Sequence, residues 1–336
     1  MHVRMGGELG ELARGVVAGV MSTCRPGACV DRAWPHALEG DGPVVLISAG
    51  KGSVDMARAA MARLGDRVIR GLVVGPEALL EHASFGSRVE RLAADHPLAT
   101  ERNLHAAKRA MELAASAGAA ETLLTLISGG ASAYLTAPGE GVGLEDVRTI
   151  TDALLRAGAP IEELNRVRKH LELVKGGGLA RAGAGAGAHW SLVLSDVLGD
   201  RLDVIGSGPT APDPSTFTEA WGVLERRGLL GVSGAVEARL RRGGAGEIEE
   251  TPSGEEAFWA RVRHRIVGNN RLAVECACGA LERAGFEVVE RSSWTPSSAA
   301  DSDSPSASVE ATAPGEAPGE QAWQMLSSSS VLPASA

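Results

Sequence analysis

Lysine is scarce in this sequence, and its positions single out particular motifs. Of the 33 lysine and arginine residues, only Lys51, Lys108, Lys169 and Lys175 are lysines. A lysine ammonium is a compact charge that an arginine guanidinium does not reproduce. Because arginine fills nearly all other basic positions, each lysine is favoured as a residue kept for its chemistry.

Lys51 lies in the run Gly50-Lys51-Gly52-Ser53, between an apolar segment and a predicted helix. A helix N-terminus binds anions through its free backbone N–H groups and its dipole. The run is not a Walker phosphate loop, because Val45 and Gly52 stand where that loop needs glycine and serine or threonine. Two interpretations remain, an anion site that includes Lys51 and a tight turn with a solvated lysine.

A second loop rich in glycine and serine, residues 128–132 (SGGAS), follows the apolar run Thr122–Ile127. Glycine allows the backbone to approach an anion closely, and the serines add hydroxyl groups. The loop is not a nucleophile elbow, since Tyr134 replaces the second glycine of GxSxG. An anion-binding loop is favoured over a turn without a ligand.

Two carboxylates four residues apart, Asp196 and Asp200, follow the apolar run 190–194. Mg²⁺ is often held by one or two carboxylates together with substrate phosphates. A carboxylate can instead accept a proton from a substrate hydroxyl. The structural alternative is that Asp196 caps a helix.

Arg168 and Lys175 are seven residues apart and would share one face of a helix that continued through both. Converging cations bind carboxylates or polyphosphates, although a charged helix face is usually only solvated. Downstream, Ser207 and Gly208 belong to a segment rich in glycine and proline, 206–214, which is either a rigid loop or a phosphate cradle.

Alternating strand and helix signals predict how these motifs are positioned. Strands are predicted at 43–49, 68–74, 122–127, 190–194 and 265–267, with amphipathic helices between them. Short apolar strands separated by helices indicate an α/β fold with a doubly wound, mostly parallel, Rossmann-like sheet and helices on both faces. Ligands bind such sheets at the carboxyl edge. We therefore expect the strand ends AGKG, ADHP, SGGAS and SDVLGD to converge there.

Composition excludes several classes of protein. The 336 residues include 42 acidic and 33 basic ones, for a net charge of −9, which argues against nucleic-acid binding because that requires a basic surface. No apolar run approaches the roughly 18 residues of a membrane span. Glu8, Glu11 and Arg14 interrupt any leader-like stretch, so a cytoplasmic protein is expected. Neither zinc nor disulfide spacing occurs among the cysteines, Cys24, Cys29, Cys276 and Cys278.

The C-terminal segment differs in kind from the rest of the chain. From residue 292 onward it is rich in serine, alanine and proline and has no basic residue. Such a segment cannot bury enough apolar surface to offset its ordering entropy. We therefore predict an α/β domain over residues 1–290 and a disordered tail over 291–336.

Six stretches in order resemble the glycerate 2-kinase family, which has a DUF4147-type N-terminal domain and a C-terminal MOFRL domain and is also labelled in places as putative hydroxypyruvate reductase. The stretches are AGKGSVDMA at 49–57, DHPLATERN at 95–103, LISGGASAYL at 126–135, NRVRKHLELVKGGGLA at 165–180, LSDVLGDRLDVIGSGPTAPDPST at 194–216 and VGNN at 267–270. Lys51, Lys169 and Lys175 all fall within them.

The resemblance implies transfer of a phosphoryl group from ATP, with Mg²⁺, to the 2-hydroxyl of D-glycerate, giving 2-phosphoglycerate. It implies that Lys51 is the cation near the transferred phosphate and that Asp196 is a metal ligand or base, with Asp200 as a second metal ligand. Arg168 and Lys175 are hypothesised to hold the glycerate carboxylate. Glycerate and ATP would be the partners, without nucleic acid or membrane, and a homodimer is left open. Roles in binding phosphate or ATP are implied for Ser128, Gly129, Gly130, Ser132, Ser207, Gly208 and Asn269.

The sequence departs from the family pattern at Ala131, Leu198 and Glu172, where the family usually has glycine, proline and serine. A carboxylate at Glu172 is expected to be unfavourable beside an anion site. The GGE and GGRNQE-type motifs of the C-terminal domain are not found, so one wall of the family's interdomain cleft is expected to be missing. Two alternatives stay open, a non-catalytic remnant that binds nucleotide or phosphate and an NAD-dependent hydroxypyruvate reductase. The reductase is disfavoured because no dinucleotide fingerprint follows any strand.

Overall fold

The apolar runs of the sequence form the strands of a parallel sheet. The computed structural model describes residues 7–295 and 306–312. Six strands pair in the order β3-β2-β1-β4-β5-β6, with every neighbouring pair parallel. The chain thus winds outward from the middle in both directions, and the predicted Rossmann-like sheet is confirmed. The strands are β1 (Val44–Ala49), β2 (Val68–Gly75), β3 (Val89–Ala93), β4 (Thr122–Ile127), β5 (Ala188–Leu194) and β6 (Val262–Gly268).

Strand β1 shows why these runs are apolar throughout. All of its residues are buried. Val44 and Leu46 pack into the core on one face of the sheet, whereas Val45 and Ile47 pack into the core on the other. A strand with helices on both faces needs apolar side chains at successive positions and not only at alternate ones.

The helices of the described chain cover both faces of the sheet. One core contains residues of α2, α3 and α4, and the opposite core contains residues of α5, α6 and α9. In chain order the helices are α1 (Glu8–Thr23), α2 (Pro26–Arg32), α3 (Ser53–Leu64), α4 (Glu77–Glu81), α5 (Glu101–Ala115), α6 (Ala131–Tyr134), α7 (Leu144–Arg156), α8 (Ile161–Leu171), α9 (Gly178–Ala182), α10 (Phe217–Arg226), α11 (Gly234–Gly244) and α12 (Asn270–Arg283).

Two smaller hydrophobic clusters lie outside these cores. Helices α7, α8, α10 and α11 share one cluster, centred on residues such as Ile150, Val167 and Leu224. Helices α1 and α12 share the other, where Val20 and Leu281 are buried. Within the described residues, no helix is long and apolar enough to cross a membrane.

One predicted helix is shorter than expected. Helix α8 ends at Leu171, and Glu172 adopts an extended conformation (φ −127°, ψ 141°) that bridges to Pro138. The backbone then turns through Gly176 and Gly177, both with positive φ. The predicted common helix face of Arg168 and Lys175 is therefore wrong, because Lys175 lies beyond the helix in this turn.

The chain continues past α12 into strand β7 (Glu287–Thr295), which pairs antiparallel with β8 (Ser306–Thr312). Residues 291–295 of β7 and all of β8 thus lie within the segment 291–336, for which disorder was predicted. Residues 296–305 and 313–336 lie outside the described residues, and for them disorder stays a prediction.

His189 is a polar residue buried inside the sheet. On β5 it is 2% exposed, and its Nε2 lies 3.1 Å from Oγ1 of Thr125 on β4. Burial lowers the pKa of His189 to about 3. The imidazole is therefore neutral in the folded protein at neutral pH.

Lowering the pH from 7 to 5 is expected to destabilise the fold through His189. The unfolded chain takes up a proton near pH 6.5 and the folded chain only near pH 3, so stability is full above pH 6.5 and decreases as the pH falls toward 3. The loss should reach about 2 kcal/mol at pH 5. Urea unfolding at both pH values measures it. His189→Gln should remove this part of the pH dependence, whereas the exposed His105→Gln should retain it; equal pH dependence in both variants would contradict the assignment.

Candidate active site

The order of the sheet reverses between β1 and β4, and this reversal places two loops side by side. From β1 the chain crosses to one side of the sheet, and from β4 it crosses to the other. Ala49 and Ile127, the last residues of the two strands, are paired. The loops that begin at Gly50 and Ser128 therefore leave the same point of the carboxyl edge, where doubly wound sheets bind their ligands.

Hydrogen bonds join these two loops. The N–H of Lys51 donates to the carbonyl of Gly129 at 2.9 Å, and the N–H of Gly52 donates to Ser128 Oγ at 3.0 Å. A Cβ on Gly50, whose φ is +120°, would lie 2.3 Å from Ser128 Oγ. Glycine is thus required at position 50 both by backbone conformation and by the closeness of the second loop.

The backbone donors of the two loops differ in availability. At the β1 corner the N–H groups of Lys51 and Gly52 are engaged as above, and that of Ser53 donates to Gly50 at 3.2 Å. The N–H groups of Gly129 and Gly130, by contrast, have no acceptor within residues 7–295 and 306–312. Donors for an anion therefore come from the second loop, and the first loop contributes the exposed Lys51 side chain.

Asp196, after β5, lies against the same loop. A Cβ on Gly129 would be 2.2 Å from Asp196 Oδ2, so the carboxylate touches the backbone of Gly129. Asp196 is itself exposed. The predicted convergence of Lys51, Gly129 and Asp196 is thus present in the structure.

A fourth strand end, that of β3, contributes His96, which the sequence analysis did not select. Its imidazole stacks on Tyr134, with ring centroids 5.6 Å apart, and the peptide bond between His96 and Pro97 is cis. Partial burial and the charge of Lys51 lower the pKa of His96, whereas Asp196 raises it. His96 is therefore a neutral side chain at pH 7 beside the two charged ones. The ADHP strand end was the signal for it.

Asn103 is a second residue that the sequence analysis missed. It is fully buried, and its Oδ1 accepts from the N–H groups of Asp95 and Thr100 at 3.1 and 2.9 Å. Its Nδ2 donates to the carbonyls of Asp95 and Ala133, both at 2.8 Å. Asn103 thereby ties the loop after β3 to α6. Nothing in the sequence pattern distinguishes it from an ordinary residue in the first turn of a helix.

Asp200 and Asn269 form a pair at the next strand ends. Asp200 has a φ of +53°, which is uncommon for a residue other than glycine. Its Oδ2 accepts from Asn269 Nδ2, while Asn269 Oδ1 caps α12 by accepting from Leu272 N at 3.1 Å. Asn269, predicted to bind phosphate, orients Asp200 in this structure.

The carboxylates available for a metal ion are few and accessible. Asp196 is exposed and Asp200 is half-buried. Across the described ranges, no group of three or more His, Cys, Asp or Glu side chains is placed to enclose a metal ion. Two accessible carboxylates fit a hard cation such as Mg²⁺ that is also held by substrate phosphates.

The ammonium group of Lys175 is buried and hydrogen-bonded inside the protein. Its ammonium donates to Ser132 O at 2.7 Å, to Leu135 O at 3.2 Å and to Glu172 Oε2 at 2.6 Å. All three of its N–H donors therefore have acceptors, and the side chain is only 1% exposed. Lys175 holds the second loop from within and has no donor left over, which argues against the hypothesis that it binds a substrate carboxylate.

Arg168 is placed between the second loop and a cavity. Its Nη2 donates to Ser132 O at 3.3 Å. It also lines a cavity of about 390 Å³ together with Pro97, Thr136 and residues of α7. Of the two predicted substrate cations, Arg168 is the one that lines this cavity beside Pro97 and Thr136.

Ser207 and Gly208 are buried beneath α6. Ser207 Oγ donates to Asn165 Oδ1 at 2.9 Å, and Gly177 N donates to Gly208 O at 2.7 Å. A Cβ on the neighbouring Gly206 would lie 3.3 Å from that of Ala131. These residues support the second loop, and the Ser207 hydroxyl is not presented to solvent.

Comparison with known proteins identifies the family and the fold. The profile of the DUF4147 family, a domain of unknown function, matches residues 12–241. The chain is 36% identical over 248 residues to the glycerate 2-kinase of Pyrococcus horikoshii, covering 74% of this chain and 54% of that protein. It is 38% identical over 245 residues to the D-glycerate 2-kinase of Thermotoga maritima, covering 73% and 55%.

A solved structure shares the fold. The crystal structure of the Thermotoga maritima glycerate kinase superposes with a TM-score of 0.73 at 36% identity, over 83% of this chain and 63% of that one. These matches confirm the resemblance drawn from the six motifs. The chain spans about half the length of the curated relatives it matches.

Replacing Asn103 by alanine is expected to lower the free energy of unfolding by about 2–4 kcal/mol, because buried polar groups at Asp95, Thr100 and Ala133 lose their partner. Urea denaturation measures the change. Asn270→Ala serves as the matched control, since the Asn270 side chain makes no hydrogen bond in the described chain. A loss for Asn103→Ala no larger than for Asn270→Ala would contradict the role of Asn103.

Proposed function

The chain belongs to the DUF4147 family, and on that premise we propose that it transfers the γ-phosphoryl group of ATP to the 2-hydroxyl of D-glycerate, giving 2-phosphoglycerate. The observation that carries the proposal is the meeting of Lys51, Asp196 and the N–H groups of Gly129 and Gly130 where the sheet order reverses. Those two N–H groups have no acceptor among the described residues. The names of the relatives suggest the substrate.

Phosphoryl transfer depends mainly on positioning and on stabilisation of charge. The exposed ammonium of Lys51 supplies a positive charge at the loop junction. The N–H groups of Gly129 and Gly130 donate to phosphate oxygens, as adjacent backbone donors do in other anion sites. Ser128 stabilises the first loop, because its Oγ accepts a hydrogen bond from Gly52 N. Ser132 is the last residue of the second loop.

The glycerate carboxylate is assigned to Arg168. A guanidinium binds a carboxylate through two parallel hydrogen bonds, and the cavity that Arg168 lines is large enough for a small hydroxy acid. Lys175 has no donor left for this purpose. We therefore assign the carboxylate to Arg168 alone.

The exposed carboxylate of Asp196 is the group proposed to accept the proton of the 2-hydroxyl or to hold the metal ion. Asp200, fixed by Asn269, is the second metal ligand. A Mg²⁺ ion bound by these carboxylates and by the nucleotide would neutralise phosphate charge during transfer.

Lys51→Ala is expected to lower kcat/KM for D-glycerate and ATP by about 100- to 1,000-fold, as loss of a charge at a transferred group typically does. A coupled assay of ADP release measures this. Stability should be unchanged, because the Lys51 side chain is exposed and makes no hydrogen bond within the described part of the chain, where the backbone N–H alone donates to Gly129. Lys108→Ala, another exposed lysine, is the matched control.

Activity of Lys51→Ala equal to that of Lys108→Ala would overturn the role of Lys51. No activity above background in the unaltered protein would overturn the proposed function. Binding of ATP without turnover would then favour the non-catalytic alternative.

Gly129→Ala is expected to reduce activity at least about tenfold with little loss of stability. A methyl group there would displace the Asp196 carboxylate, which is an exposed group that is free to rotate away. The Mg²⁺ concentration needed for half-maximal activity should rise. Gly15→Ala, where nothing lies within 4 Å of the new methyl group, should leave both quantities unchanged, and the same result for Gly129→Ala would contradict the placement of Asp196.

A further inference from the structure

Three charged side chains meet behind the second loop, namely Arg168, Glu172 and Lys175, and we refer to them as the Glu172 cluster. Glu172 Oε2 accepts from Lys175 at 2.6 Å, and Glu172 Oε1 lies 3.6 Å from Arg168 Nε. Both cations also donate to the carbonyl of Ser132. The cluster therefore couples one carboxylate, two cations and one carbonyl of the loop.

The cluster is shielded from water. Glu172 is 2% and Lys175 1% exposed, so each charge has lost most of its hydration. A buried charge that loses its partner is strongly destabilised. The Glu172 carboxylate, 2.6 Å away, is the partner that stabilises the charge of Lys175 in this position.

The contacts of Glu172 are unequal. Its Oε1 and the Nε of Arg168 both lack a hydrogen-bond partner within the described residues, although they attract each other as ions across 3.6 Å. Glu172 completes a hydrogen bond only with Lys175. One negative and two positive charges also leave the cluster with a net positive charge directly behind the loop.

We infer that Glu172 is a positioning residue, which keeps Lys175 charged and bound to Ser132 and so fixes the loop 128–132 in the form that receives phosphate. The effect on catalysis rests on the proposed function, whereas the effect on the loop does not. The carboxylate expected from the sequence to oppose an anion site is instead neutralised by Lys175.

Because Lys175 is titratable, its hydrogen bond to Ser132 is expected to depend on pH. Burial lowers the pKa of Lys175 to about 8, against the opposing influence of Glu172. Above that pH the amine is neutral, and its hydrogen bond to Ser132 weakens. Without Glu172 the pKa falls further, so Lys175 loses its charge already at neutral pH.

The other charged groups near Lys175 are largely paired among themselves. Lys169 pairs with Asp213, His170 faces Glu250, and Arg181 pairs with Glu249. Glu172 is therefore the carboxylate that stabilises the charge of Lys175. The charged or titratable residues that share a cavity of about 260 Å³ with Lys175 are Lys169, His170, Glu172, Arg181, Arg239, Glu249 and Glu250.

Hydrogen exchange of the peptide covering residues 128–136 tests the inference without requiring activity. In Glu172→Gln at pH 7, exchange of this peptide should be about tenfold faster than in the unaltered protein, because the loop opens more often. Glu275→Gln removes a carboxylate from an exposed pair with Arg271 and should change nothing there. Unchanged exchange in Glu172→Gln would overturn the inference.

A second variant covers the case in which Glu172→Gln does not fold. Glu172→Gln with Lys175→Met removes one negative and one positive charge together, so the net charge of the Glu172 cluster stays the same. This double variant should fold and still exchange rapidly at residues 128–136, because Ser132 has lost the Lys175 hydrogen bond. Protection equal to that of the unaltered protein would again overturn the inference.

The pH profile of kcat/KM adds the catalytic readout. The alkaline decrease, expected near pH 8 in the unaltered protein, should move to lower pH by about one unit or more in Glu172→Gln and stay in place in Glu275→Gln. An unmoved alkaline decrease in Glu172→Gln would contradict the positioning role. Complete inactivity of the unaltered protein would refute the proposed function alone, since the exchange experiment still decides about Glu172.

Discussion

The contact between the loop after β1 and the loop after β4 is the constraint on which the candidate site depends. It follows from the pairing of Ala49 with Ile127, which brings Gly50 and Ser128 to the same point of the sheet edge. The backbone N–H groups of Gly52 and Lys51 donate to the second loop, so they are not available to a ligand. The N–H groups of Gly129 and Gly130 and the side chain of Lys51 are the groups that we propose bind an anion.

The lysines of the chain illustrate how the same residue type serves two purposes. Lys51 is exposed at the loop junction, whereas Lys169 is buried against Asp213 at 3.3 Å and Lys175 against Glu172. A buried ammonium needs a carboxylate partner because hydration is lost. The scarcity of lysine drew attention to Lys51, Lys169 and Lys175, but it did not distinguish an accessible charge from an internal one.

The sequence was sufficient to predict the fold and the edge of the sheet at which the loops meet. Apolar runs and helical periodicity indicate which residues are buried. Strands that are buried on both faces and alternate with helices indicate a doubly wound sheet. The roles of single side chains depend on partners far away in sequence, such as Asn103 with Ala133 or Lys175 with Ser132. Glu172 shows the limit, because its carboxylate looked unfavourable until the structure placed it between two cations. The end of α8 at Leu171 was also not predicted, because hydrophobic periodicity does not indicate the turn that follows at Gly176 and Gly177.

Lys51 and the N–H groups of the second loop are proposed to form one site for the phosphates of a nucleotide. Calorimetric titration of the full chain with ATP and Mg²⁺ tests it most directly, because binding is measured whether or not transfer occurs. We expect one binding site whose affinity falls about tenfold or more in Lys51→Ala, because a charged contact to phosphate is lost, and is unchanged in Lys108→Ala. Absence of binding, or equal affinity in the two variants, would contradict it.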